Sequence, residues 1–72
     1  MEKFRIEEAS RISGITPDDF IAFYMLKGYI RKEPNGFSAT ALGIEKGCVI
    51  NEDGKALFTL EALLRIASAF AA

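Results

Sequence analysis

Turn-forming residues interrupt this chain every few positions, and the intervals between them leave room only for short elements. The stops are Gly14, Thr16-Pro17, Gly28, Pro34-Asn35-Gly36, Gly43, Gly47 and Asn51-Glu52-Asp53-Gly54. No apolar run approaches the roughly 20 residues of a membrane span. No internal repeat, low-complexity segment or dividing linker is read along the chain, so residues 1–72 are expected to form one domain. At 72 residues such a domain buries only roughly 60% of its unfolded surface, and a second copy would help it.

Between the stops, apolar spacing assigns the elements. Ile6, Ala9 and Ile12 recur at helical spacing, with Glu7, Glu8, Ser10 and Arg11 expected outside. Gly14 ends this helix, and Thr16-Pro17-Asp18-Asp19 opens the next. Thr16 can cap free amides, Pro17 suits the first helical position, and the aspartates favour the positive end of the helix dipole. The second helix, from Pro17 to about Lys27, is apolar almost all round: Phe20, Ile21, Ala22, Phe23, Tyr24, Met25 and Leu26. That is wider than the stripe of a surface helix. Phe20, Ile21 and Leu26 are expected in the core, while Phe23, Tyr24 and Met25 are candidates for a protein interface.

Two hairpins follow, at 29–40 around Pro34-Asn35-Gly36 and at 47–58 around Asn51-Glu52-Asp53-Gly54, separated by a short helix from Thr40 to Lys46. Thr59 is expected to cap a last helix over 59–71. Its stripe reads Leu60, Leu63, Leu64, Ala67 and Phe70. The fold class is therefore α+β, in the order α-α-β-β-α-β-β-α, a small winged-helix-like domain with a helix-turn-helix at 6–28.

Charge excludes little but weights the partner question. The chain has 9 Lys+Arg, 10 Asp+Glu and no His, a net charge of −1. A dedicated nucleic-acid binder usually shows a basic stripe and a high pI. The densest basic patch here is Lys27, Arg31 and Lys32, and with Arg11 and Lys46 these are the candidates for contacts to DNA phosphates. The second helix itself starts with Asp18 and Asp19 where phosphates would approach, and before Lys27 it has no donor suited to a base edge.

An enzyme is not expected. Without His, the commonest general base near neutral pH is missing. Cys48 sits among apolar neighbours as a small core residue. The acidic pairs Glu7-Glu8, Asp18-Asp19 and Glu52-Asp53 fall at helix starts and a hairpin tip. A calcium loop with Gly54 in sixth place would need carboxylates where Val49 and Leu60 stand. The glycine spacings match no phosphate-binding motif. No metal, cofactor or small-molecule substrate is expected. The single cysteine, and an N-terminus without an apolar leader, give the expectation of a cytoplasmic protein.

Phe4-Arg5-Ile6-Glu7-Glu8-Ala9-Ser10-Arg11-Ile12-Ser13-Gly14-Ile15-Thr16 resembles the opening helix-turn-helix of small regulators, MerR-type domains among them. From about Ile6 to Phe70 the chain resembles the C-terminal domain of KilA-type phage antirepressors. The resemblance rests on Leu26-Lys27-Gly28-Tyr29-Ile30-Arg31-Lys32, on Thr40 with Gly47 seven residues beyond, on the hairpin that follows, and on Thr59 opening the last helix with Phe70 near its end. The chain departs from that pattern at Ala39, where the family often has Pro, and at Leu60-Glu61-Ala62, where it often has Gly. The resemblance implies a phage- or mobile-element-type transcription regulator that binds DNA or a repressor-like protein, most simply as a homodimer. The alternative is a protein-interaction module without DNA binding, such as a phage-encoded inhibitor of a host factor.

Overall fold

The structure, a computed structural model, describes residues 2–71. The order is β1 (Lys3–Phe4), α1 (Ile6–Ser13), α2 (Pro17–Lys27), β2 (Ile30–Glu33), β3 (Gly36–Ala39), α3 (Ala41–Glu45), β4 (Val49–Glu52), β5 (Lys55–Thr59) and α4 (Leu60–Ala71). This is the expected α+β order with one addition. The two-residue β1 pairs antiparallel with β5, Lys3 opposite Thr59 and Phe4 opposite Phe58, giving a sheet ordered β1-β5-β4. The hairpin β2–β3 forms a second, two-stranded sheet. Among the described residues no helix is long and apolar enough to cross a membrane.

Local chemistry sets the helix ends. Thr16 accepts the Asp19 amide at 3.2 Å, as its place before Pro17 predicts. Helices α1, α2 and α3 each stop in the same way. The amides of Gly14, Gly28 and Gly47 reach back three residues, and those of Ile15, Tyr29 and Cys48 reach back five. All three glycines have φ between 74° and 77°, the left-handed conformation that this termination requires. The second hairpin turns on Asp53-Gly54 alone, both at positive φ, because Asn51 and Glu52 belong to β4.

The chain does repeat itself, contrary to the sequence reading. Residues 28–43 and 47–62 superimpose in their hydrogen bonding with an offset of 19. Thr40 and Thr59 donate their hydroxyls to Gly28 and Gly47, each at 2.6 Å. Their amides donate to Tyr29 and Cys48 at 3.0 and 2.9 Å. Each hydroxyl then accepts an amide of the next helix, from Gly43 at 3.1 Å and from Ala62 at 3.4 Å. A helix-ending glycine, a hairpin with a two-residue loop and a capping threonine thus occur twice. Asn51 joins the two units by accepting the Ala39 amide at 2.7 Å and donating to the Ala39 carbonyl at 3.3 Å. Its carboxamide does for β3 what β1 does for β5.

The core is aromatic at its centre. The Phe58 ring meets Phe20 edge-on at 4.8 Å and lies 5.6 Å from Tyr24, and Val49, Cys48 and Ile66 close around them with no exposed surface. Each large side chain so buried contributes about 1.5–3 kcal/mol of transfer free energy. Three expectations about faces change. In α1, Ile12 is exposed while Ser10 is buried. The inward serines satisfy themselves, Ser10 donating to Glu7 at 3.0 Å and Ser13 to Ala9 at 2.8 Å. In α4, the buried face is Ala62, Leu63 and Ile66, and Leu60, Leu64 and Phe70 are exposed. Thr59 and the Tyr24 hydroxyl, which donates to Ala62 at 2.5 Å, fix that rotation. In α2, Leu26 lies outside the core altogether, at 91% exposure.

Candidate functional site

Helices α1 and α2 follow one another through Gly14, Ile15 and Thr16, and α2 is the second helix of the expected helix-turn-helix. Phe20 and Tyr24 hold its inner face, and at 3.6 residues per turn Leu26 lies about 140° around from them. Its outer surface is Asp18, Ala22, Met25 and Leu26, all exposed. Leu42 of α3 is exposed as well, and its Cδ2 lies 4.0 Å from the position a Cβ on Gly28 would take. It therefore sits against the end of α2 that carries Met25 and Leu26. The outcome is an apolar surface ending in two acidic residues at the helix start.

The expected interface residues divide. Met25 is exposed. Phe23 is half-buried, meeting Tyr24 edge-on at 4.9 Å and Phe70 at 5.9 Å. Tyr24 is a correction: it has no exposed surface, stacks on Tyr29 at 5.7 Å and spends its hydroxyl on Ala62. Burial pushes its phenol well above the usual range, the nearby Cys48 adding to the effect. It is a core residue and offers nothing to a partner. Leu26 and Leu42, absent from the expected set, are exposed instead. The signal for Leu26 was present in the angular spacing from Phe20 and Tyr24, but a helix apolar all round gives no contrast by which to orient it.

The five candidate phosphate contacts are exposed but do not share one face. Arg11 is in the last turn of α1 and Lys46 at the C-terminal cap of α3. Lys27 closes α2 with its ammonium 5.3 Å from the centre of the Phe23 ring. Arg31 and Lys32 are neighbours on β2, so their side chains leave opposite faces of the hairpin. Arg31 is already engaged, 3.6 Å from Glu33 and donating to Ser38 at 3.3 Å. That ion pair is exposed and worth about 0–1 kcal/mol, so it can be exchanged for another anion.

Between α2 and α4 runs an open groove of about 600 Å³, bounded by Phe23, Lys27, Tyr29, Glu61 and Arg65. Arg65 donates to Glu61 at 2.7 Å, and this bond holds its guanidinium above its usual range. Cys48 is buried beneath, its thiol pushed up by desolvation, and so is poorly suited to act as a nucleophile. Comparison of the chain with protein-family models, with curated proteins and with solved structures finds no match.

Proposed function

We propose that this domain is a non-catalytic, phage- or mobile-element-type transcription regulator that acts by binding a repressor-like protein through the outer face of α2. The observation that carries the reading is the 91% exposure of Leu26 beside exposed Met25. A contiguous exposed apolar patch marks a recognition surface, and Met25, Leu26 and Leu42 gather at one end of α2. A helix that reads bases instead presents hydrogen-bond donors and acceptors near its N-terminus. Here Asp18 and Asp19 occupy that end and would repel phosphates.

A second reading, direct DNA binding, is favoured by the placement of Arg31 and Lys32 on a hairpin beside the helix-turn-helix. In that reading phosphate contacts from Arg11, Lys27, Arg31, Lys32 and Lys46 supply the affinity, without base readout.

The test is relief of repression of a reporter held by a phage-type repressor, with the domain supplied in trans. Wild type is expected to relieve repression, Leu26→Glu to lose the effect, and Lys27→Ala with Arg31→Ala to keep it. Loss in the basic double variant with retention in Leu26→Glu would transfer the function to the DNA reading.

A further inference from the structure

The exposed side of α4 carries a second apolar surface. Leu60 is 49% exposed, Leu64 is 60% exposed, Ala71 is exposed and Ala67 half-buried. Their spacing is four, three, four, which is the seam of a coiled coil and falls to one side of the Ala62–Leu63–Ile66 face used by the core. The helix has 12 residues and spans about 18 Å.

The order of side chains along this seam says what covers it. The two leucines occupy the N-terminal half and the two alanines the C-terminal half. In an antiparallel pair related by a two-fold axis, Leu60 faces Ala71 and Leu64 faces Ala67 of the other copy. Each large side chain then fills the space left by a small one. A parallel pair would set leucine against leucine and alanine against alanine, leaving the alanine end underfilled. Charge selects the same register. It sets Glu61 opposite Ser68 of the second copy, whereas the shift that pairs Leu60 with Leu64 would oppose Glu61 to itself.

We infer that α4 is the dimer face of this domain, joined antiparallel to α4 of a second copy along Leu60, Leu64, Ala67 and Ala71. The inference extends the reading above from one chain to a pair and leaves the outer face of α2 free on both copies. Its test involves neither DNA nor a repressor, so the two can fail separately.

Sedimentation from micromolar to millimolar protein is expected to give a monomer–dimer equilibrium. In Leu64→Glu, at unchanged far-UV circular dichroism, dimerisation should weaken roughly tenfold or more, as for loss of a central interface side chain. A wild-type monomer at every concentration, or a dimer indifferent to Leu64→Glu, would overturn the inference. Orientation is read separately by oxidising variants that carry one new cysteine in a Cys48→Ala background. A mixture of Leu60→Cys and Ala71→Cys should cross-link, and neither variant should do so alone. Cross-linking of each variant with itself would overturn the antiparallel arrangement.

Discussion

Between Gly28 and Thr40, and again between Gly47 and Thr59, the chain makes one set of backbone ties, with hydroxyl-to-carbonyl distances of 2.6 Å in both units. The units differ in what surrounds them. In the second, Phe58 enters the aromatic core and β5 gains β1 as a third strand. In the first, Ala39 fills the equivalent place, a carboxamide stands in for the missing strand, and Arg31 and Lys32 face solvent. One frame thus serves as the centre of the domain and, 19 residues earlier, as its outward-facing arm. A local hydrogen-bond pattern fixes a hairpin's shape, while burial of its side chains decides how much stability depends on it.

The sharpest contrast is at the paired positions Gly43 and Ala62. A Cβ on Gly43 would stand 2.3 Å from the Tyr29 carbonyl oxygen, whereas Ala62 has its methyl in the core. Gly43→Ala is therefore expected to cost about 3 kcal/mol, because backbone must move. Ala62→Gly should cost only about 1 kcal/mol in helix propensity, plus the small loss of its buried methyl. Urea denaturation checks both, and equal costs would break the claimed difference in how closely α3 and α4 approach their hairpins.

The threonines come next. Thr59 is buried, and Thr40 is half-exposed. Thr59→Val should cost about 2 kcal/mol, and Thr40→Val about 1, since water can replace the lost partner only at Thr40. Between the two falls Asn51→Ala, expected at about 1.5 kcal/mol through the Ala39 amide and carbonyl it leaves unpaired. Hydrogen exchange should then rise in β3 and leave β5 protected.

The last contrast is between Tyr24 and a phenylalanine in its place. Burial raises the Tyr24 phenol above its usual value, near 10 for a free side chain. Its contribution to stability is complete below about pH 10 and is lost as pH rises from there toward the folded-state value. Thermal melts from about pH 8 to 11 should fall more steeply for wild type than for Tyr24→Phe, and parallel curves would contradict this.

Much of this architecture is legible in the residues. Thr16-Pro17, the glycines ending three helices, and Thr40 and Thr59 each act as their local chemistry dictates. The repeat was hidden because its landmarks, Lys27-Gly28, Glu33 and Thr40 against Lys46-Gly47, Glu52 and Thr59, are few. Pro34-Asn35 and Asp53-Gly54 also turn the chain with different residues. The β1 strand is two residues long and owes its existence to the edge of β5, which no local pattern announces. Faces were harder than elements. Ser10 and Ser13 hide their polarity within their own helix, and the rotation of α4 is set by Thr59 and by Tyr24 from 38 residues away. Leu26, the residue on which the functional reading turns, differs from its core neighbours only in angle.

That angle is best tested by fluorescence anisotropy of a labelled random duplex titrated with wild type and with the uncharged variant Leu26→Ser, at low and near-physiological salt. If α2 turns its outer face to a protein and any DNA contact is made by exposed cations, the two proteins will bind alike and both will weaken steeply with salt. Binding that persists at near-physiological salt and disappears in Leu26→Ser would place α2 in the DNA groove and contradict the account.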